Sequence, residues 1–111
     1  MDIEEISAAK AAERVSAGAF LLDVRNDDDW EAGHAPGAHY ITLQQIPDRI
    51  AEIPTDRVIV AVCRAGSRSL NAAKFLAEHN IVAANLTGGM KAWAAAGLTV
   101  VGTNGADGAV I

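Results

Sequence analysis

Between Arg57 and His79 the chain runs RVIVAVCRAGSRSLNAAKFLAEH, and this stretch limits the fold more than any other. Val58 to Val62 is a continuous apolar, β-branched-rich run without polar alternation, the pattern of a strand covered on both faces and therefore of a central parallel strand. From Ser67 onward the spacing becomes helical: Leu70, Ala73 and Leu76 with Ala77 make one apolar stripe, and Asn71, Lys74 and Glu78 fall elsewhere. A buried strand that becomes a helix across six residues is a unit of a parallel α/β sheet.

The six residues themselves suggest chemistry. Gly66 and its small neighbours allow several backbone N–H groups to converge at a helix N-terminus, where the dipole also favours negative charge. The chain holds 14 acidic and 9 basic residues, yet no Asp or Glu lies between Asp56 and Glu78, where Arg57, Arg64, Arg68 and Lys74 all fall. The only cysteine, Cys63, sits at the turn. A free thiol has a pKa of about 8.5, which falls to roughly 3.5–7.5 beside a helix N-terminus and arginines. Cys63 is thus a candidate nucleophile, against the plainer reading of a small buried apolar side chain.

The rest of the chain supplies a scaffold of the same kind. A short piece, Ile3 to Ile6, precedes Ser7, which caps a helix running to about Ser16 and ended near Gly18; a thin apolar face of Ala8, Ala11, Ala12 and Val15 packs it on a sheet edge. Phe20 to Val24 is a second buried strand with Asp23 and Arg25 at its end, where ligands bind in open α/β sheets; mutual pairing that holds the rim is the favoured role. Asn26 to Glu31 caps and charges a helix N-terminus, with Trp30 as its buried anchor. GHAPGA, Gly33 to Ala38, is a turn cluster before an extended piece around Tyr40 and Ile41.

A helical region, Gln44 to Ile53, starts near Pro47 and stops before Pro54. After the central unit come a strand, Val82 to Leu86, the TGG turn, a helix over Met90 to Ala96 with Trp93 and Ala94 inward, and a last strand, Leu98 to Val101. Residues 102–111 are Gly-rich and patternless, which predicts a flexible tail beyond one domain at 1–101. The expected fold is a mostly parallel α/β sheet flanked by helices on both faces, with the loops after Val24, Val62 and Leu86 sharing one rim around Cys63.

Several function classes are disfavoured. A net charge of −5 leaves no basic surface beyond the pocket, which argues against nucleic acid. His34 and His39 lack the i,i+4 spacing of a paired metal site and His79 is remote, so no metal and no cofactor are expected, and His34 reads as a hydrogen-bonded structural residue. One cysteine cannot form an intramolecular disulfide, and no apolar run approaches the roughly 20 residues of a membrane span. With no secretory pattern either, the expectation is a cytoplasmic monomer with no membrane association.

LLDVRNDDDWEAGHAPGAHYI, VIVAVCRAGSRS and NLTGGMKAWAAAGL resemble, in order and spacing, the signature segments of rhodanese-like domains, and the resemblance covers residues 3 to 101. It implies a sheet of about five strands and a single-domain sulfurtransferase in which Cys63 carries sulfur as a persulfide. By the family's motif, Arg64, Ala65, Gly66, Ser67 and Arg68 surround Cys63 and bind the substrate. Arg68 is expected to hold an anionic donor such as thiosulfate. Arg64 is divided between that role and a solvated surface charge, and Ser67 between capping the helix and donating to sulfur.

The acceptor would be cyanide or a thiol, the latter on a small molecule or a protein. The alternative is a persulfide carrier or partner-binding module without small-molecule turnover, which an apolar patch beside the loop would mark. Phosphatases and arsenate reductases of related fold resemble C-x5-R; here Cys63 to Arg68 is C-x4-R, which disfavours them if Arg68 closes the ring; if it does not, Ser69 completes the longer ring without its arginine, and no second cysteine is present.

Overall fold

A computed structural model describes residues 2–103 and 107–111. Among these residues a five-stranded sheet runs in the order β1-β5-β4-β2-β3, formed by β1 (Glu5–Ile6), β2 (Phe20–Asp23), β3 (His39–Tyr40), β4 (Ile59–Val62) and β5 (Ala83–Leu86). Every pairing is parallel, with Leu22 opposite Ala61 and Ala61 opposite Asn85. The three central strands are buried at every position, as their apolar runs require, while the two edge strands are two residues long and leave little exposed edge to pair.

Helices cover both faces. On one side, α1 (Ala8–Ser16) and α5 (Gly89–Ala95) bury Ala8, Ala11, Met90 and Trp93 against Leu21, Val60, Val62 and Leu86. On the other, α4 (Ser67–Glu78) buries Ala72, Ala73 and Leu76 against Leu22, Ile59 and Ala83, together with Ile46 and Ile53. Helix α1 therefore lies on a sheet face beside α5, not at an edge. Its start is as expected: the Ser7 hydroxyl accepts from the Lys10 N–H at 3.1 Å.

Five further expectations are corrected. The region Gln44–Ile53 is not one helix but a 3-10 turn at Leu43–Gln45, a four-residue α3 (Ile46–Arg49) and a second 3-10 turn at Ile50–Glu52. Pro47 has no N–H to donate to Leu43, so no continuous α ladder can cross it. The buried face of α4 is Ser69, Ala72, Ala73 and Leu76, turned toward Ser69 from the stripe that hydropathy suggests. In α5, Ala94 faces solvent, and of the two residues expected to face inward only Trp93 does, its indole N–H donating to the Thr99 carbonyl at 2.8 Å.

Leu98–Val101 is also no strand of the sheet. Val101 instead exchanges two backbone hydrogen bonds with His34, at 2.8 and 2.9 Å. The described residues of the expected tail return to the domain: the Gly108 N–H donates to Val100, the Ala109 N–H to Ala32, and Val110 packs on the α1–α5 side. Residues 104–106 of that tail lie outside the described part. Gly33 explains the approach, since a Cβ there would lie 2.5 Å from the Ala109 backbone. A glycine that reads as a turn signal is here the space a second chain segment needs.

Candidate functional site

Cys63 follows the last residue of β4 and is 1% exposed. The chain then turns through Arg64, Ala65 and Gly66 into α4, and Gly66 takes φ +114°, a left-handed conformation that a side chain disfavours. This turn brings the Gly66 N–H to 3.0 Å from the Cys63 Sγ. α4 has no side-chain cap, so its first N–H groups lack intrahelical partners; the Ser69 N–H, with that of Ala65, is directed at the sulfur. The Ser69 hydroxyl lies 3.3 Å from Sγ.

The loop is held in this shape from behind. The N-terminus of α5 donates to its carbonyls, Met90 N–H to Cys63 at 2.8 Å and Lys91 N–H to Arg64 at 3.1 Å. With carbonyls drawn outward to α5, the N–H groups are left facing Sγ. Gly88 and Gly89, at φ +80° and +59°, make that crossing possible.

The electrostatic result favours a thiolate. Burial pushes the Cys63 thiol up, but the Ser69 hydroxyl and the N–H groups of Ser69, Gly66 and Ala65 outweigh it and leave the thiol below its ordinary value. Ser69→Ala removes the one side-chain donor among these. Its alkylation by iodoacetamide, followed against pH, is therefore expected to rise at higher pH than in the wild type. An unchanged midpoint would remove the Ser69 hydroxyl from this account.

Of the residues that sequence assigns to the site, Cys63, Ala65 and Gly66 converge, through backbone groups for the last two. Ser67 is exposed and has no bond to Sγ. Arg64 points away, its Nε donating to the Ile111 carbonyl at 2.5 Å. Arg68 is half-buried, with a loose contact of 3.9 Å to Asp29 at the start of α2 (Asp27–Ala32). A pair so long and partly exposed costs little to open.

Asn85 is a site residue that sequence reasoning missed, and Ser69 one that it placed there only as the alternative closing residue of the ring. The Ser69 hydroxyl is 2.5 Å from Asn85 Oδ1, and Asn85 Nδ2 donates to the Gly66 carbonyl at 3.0 Å. A signal existed for Asn85: it is the single polar side chain of β5, AANL, and a polar group in a fully buried strand has to be paired.

Ser69 also changes the ring argument. The residue that closes the loop on sulfur is Ser69, not Arg68, so the span from Cys63 matches the longer phosphatase ring in length. What separates this site from C-x5-R is the identity of the closing residue. A serine there cannot clamp two oxygens of a phosphate as a guanidinium does.

The remaining candidates hold the scaffold. Asp23 and Arg25 are fully buried and paired at 2.8 Å, and Arg25 also donates to the Gly33 carbonyl at 2.7 Å, which fixes the turn after α2. The imidazole of His34 bonds the Trp30 carbonyl through Nδ1 at 2.8 Å and stacks on the Trp30 ring, centroid to centroid 3.6 Å; Trp30 is thus half-buried under a histidine and not the buried anchor expected. No helix is long and apolar enough to cross a membrane, and no group of three metal-ligating side chains forms, among the described residues.

Comparison with known proteins agrees with this geometry. The profile of the rhodanese-like domain matches residues 7–96. YtwF of Bacillus subtilis, provisionally named a sulfurtransferase, is 38% identical over 84% of this chain and 92% of its own. A sulfurtransferase of Allochromatium vinosum is 34% identical over 93% of this chain and 99% of its own. Among solved structures, a rhodanese-related protein from Thermoplasma volcanium superposes with a TM-score of 0.83 at 26% identity, over 88% of this chain and 97% of that one. With a five-stranded parallel sheet, a cysteine at the end of its central strand and matches along nearly its whole length, the chain belongs to the rhodanese-like domain family.

Proposed function

We propose that the protein is a sulfurtransferase that takes a sulfane sulfur from an anionic donor such as thiosulfate onto Cys63 and passes it to cyanide or a thiol. The observation that carries this reading is the Cys63 sulfur, buried yet surrounded by N–H and O–H donors that favour its charged form. In the first half-reaction the Cys63 thiolate attacks the outer sulfur of thiosulfate. A new S–S bond forms, the donor's S–S bond breaks, and sulfite leaves with the electron pair. The acceptor then attacks the outer sulfur of the persulfide and Cys63 leaves as thiolate, which closes a ping-pong cycle.

The test is the mass of the intact protein after thiosulfate and then cyanide. A gain of one sulfur, about 32 Da for a persulfide, that cyanide removes is expected. No adduct on the wild type would overturn the reading.

Arg68 is proposed to leave Asp29 and bind the sulfonate oxygens of the donor. A charge-assisted hydrogen bond is worth about 1.5–3 kcal/mol, so Arg68→Ala is expected to lower kcat/KM for thiosulfate by roughly 10- to 100-fold, and Arg64→Ala by less. If both variants match the wild type, arginine plays no part in donor binding. The carrier reading expected an apolar patch beside the loop; among the described residues the exposed Val58 and Val82 precede β4 and β5 and so lie on the rim opposite Cys63, and Ile111, whose carbonyl accepts from Arg64, is a single exposed apolar side chain and not a patch.

A further inference from the structure

The sulfur is linked to an edge of the sheet by a chain of side chains. Ser69 Oγ lies 3.3 Å from Cys63 Sγ and 2.5 Å from Asn85 Oδ1. Asn85 Nδ2 lies 3.0 and 3.2 Å from the two carboxylate oxygens of Glu5 on β1, and 3.0 Å from the Gly66 carbonyl. The Thr87 hydroxyl donates to the same Glu5 carboxylate at 2.8 Å.

These contacts fix the direction of each bond. Ionised Glu5 and a backbone carbonyl only accept, so the amide nitrogen of Asn85 must face them and Oδ1 must face Ser69. Oδ1 has nothing to donate. The Ser69 hydroxyl carries one proton and therefore has two acceptors competing for it, Oδ1 and Sγ. The shorter distance is to Oδ1.

We infer that Asn85, oriented by Glu5 and the Gly66 carbonyl, takes the Ser69 hydrogen bond whenever the Cys63 sulfur is uncharged and yields it when the thiolate forms. As a thiol, Cys63 donates its own proton to Ser69 Oγ while Ser69 donates to Asn85. As a thiolate, Cys63 accepts from Ser69, and Oδ1 is left as a buried acceptor without a donor. The relay therefore works against the thiolate to a limited degree and keeps it nucleophilic.

Sulfur loading reverses the balance. In the persulfide, Sγ is a neutral bridging atom and the charge sits on the outer sulfur, so the Ser69 proton returns to Asn85. The relay then favours the loaded state over the free thiolate. This consequence for loading rests on the sulfur-transfer reading above; the choice between two acceptors does not.

Asn85 and Glu5 are positioning residues that act through Ser69, and the experiment isolates that path. The other charged groups around the loop are Arg64, Arg68 with Asp29, Lys91 on α5 and the buried Asp23–Arg25 pair; none bonds Cys63 or Ser69 through its side chain among the described residues, and none is altered. Iodoacetamide alkylation of Cys63 against pH is measured for Asn85→Leu, Ser69→Ala and the double variant. Asn85→Leu is expected to move the midpoint to lower pH, Ser69→Ala to higher pH, and Asn85→Leu to add nothing once Ser69 is gone.

A midpoint that rises or stays in Asn85→Leu, or that falls equally with and without Ser69, overturns the proposal. Should Asn85→Leu not fold, Glu5→Gln at an exposed edge position weakens the same relay and is expected to lower the midpoint by less; no shift there overturns it as well. At fixed thiosulfate and sulfite and at a pH above all the midpoints, the persulfide-to-thiolate ratio of Asn85→Leu is expected to fall at least about fivefold, the size of relieving one unpaired buried acceptor. An unchanged ratio refutes the loading consequence. Failure of wild type to load, with the alkylation shifts intact, would instead refute the sulfur-transfer reading.

Discussion

Cys63→Ser is expected to lose sulfur transfer completely, with kcat/KM down by on the order of 10³-fold or more, as when a covalent nucleophile is removed. The chain has no other cysteine, so no second residue can form a persulfide in its place. Serine keeps the Cβ and a hydrogen-bonding atom within reach of the Gly66 N–H and Ser69, so the fold should survive. The measurements are intact mass after thiosulfate, turnover with cyanide, and thermal unfolding by circular dichroism. A sulfur adduct on Cys63→Ser would show that Cys63 is not the carrier, and a collapsed fold would show that the thiol holds the loop together.

Gly89→Ala should be the most damaging single methyl group in the protein. A Cβ at residue 89 would lie 2.5 Å from the Arg64 carbonyl oxygen and closer still to that of Cys63, and both are backbone atoms that cannot swing aside. The residue also has φ +59°. The left-handed conformation costs about 1–2 kcal/mol and overpacking about 1–3 kcal/mol, so a loss of roughly 2–5 kcal/mol is expected, with a fall in Tm of about 10 °C or more.

Gly97→Ala is the control, because it has φ +78° but open space around its Cβ and should lose only the conformational part. Moreover, the clash at residue 89 pushes on the carbonyls that α5 holds outward, so the loop N–H groups should turn from Sγ and the alkylation midpoint of Cys63 should rise. Equal stability of the two variants would mean that the crossing of α5 over the loop is not tight.

The notable feature of this pair of predictions is that one follows from the sequence and the other does not. Cys63 stands out locally, as a lone thiol at a strand-to-helix turn in an interval without acids. Gly89 reads only as part of a turn. Its demand for space comes from two carbonyls 25 or more residues earlier, and nothing in TGGM specifies them. Gly33 and Gly108 follow the same rule: local pattern makes them loop signals, while packing makes them points of contact between the domain and residues 107–111.

The face of α4 shows a further limit. Hydropathy turns the helix toward Leu70, yet Ser69 is fully buried and Leu70 only partly so. A hydroxyl scores as polar whether or not a buried acceptor awaits it, and the acceptors here, Cys63 Sγ and Asn85 Oδ1, lie on two other strand ends. In contrast, α1 was legible from its cap because Ser7 and Lys10 are three residues apart. Capping is local and relay chemistry is not.

By itself, the sequence determined the class of fold, because unbroken apolar runs separated by helical spacing leave no arrangement but a covered parallel sheet. It also singled out Cys63 and the loop after it, since both readings depend on neighbours within a few residues. Only the tertiary structure decided which groups surround that sulfur. Parallel strands must cross over, and the order β1-β5-β4 sets residue 5 beside residue 85, three and two hydrogen bonds from the sulfur respectively. Their separation along the chain carries no trace of that approach, which hydrophobic burial of the intervening helices brings about.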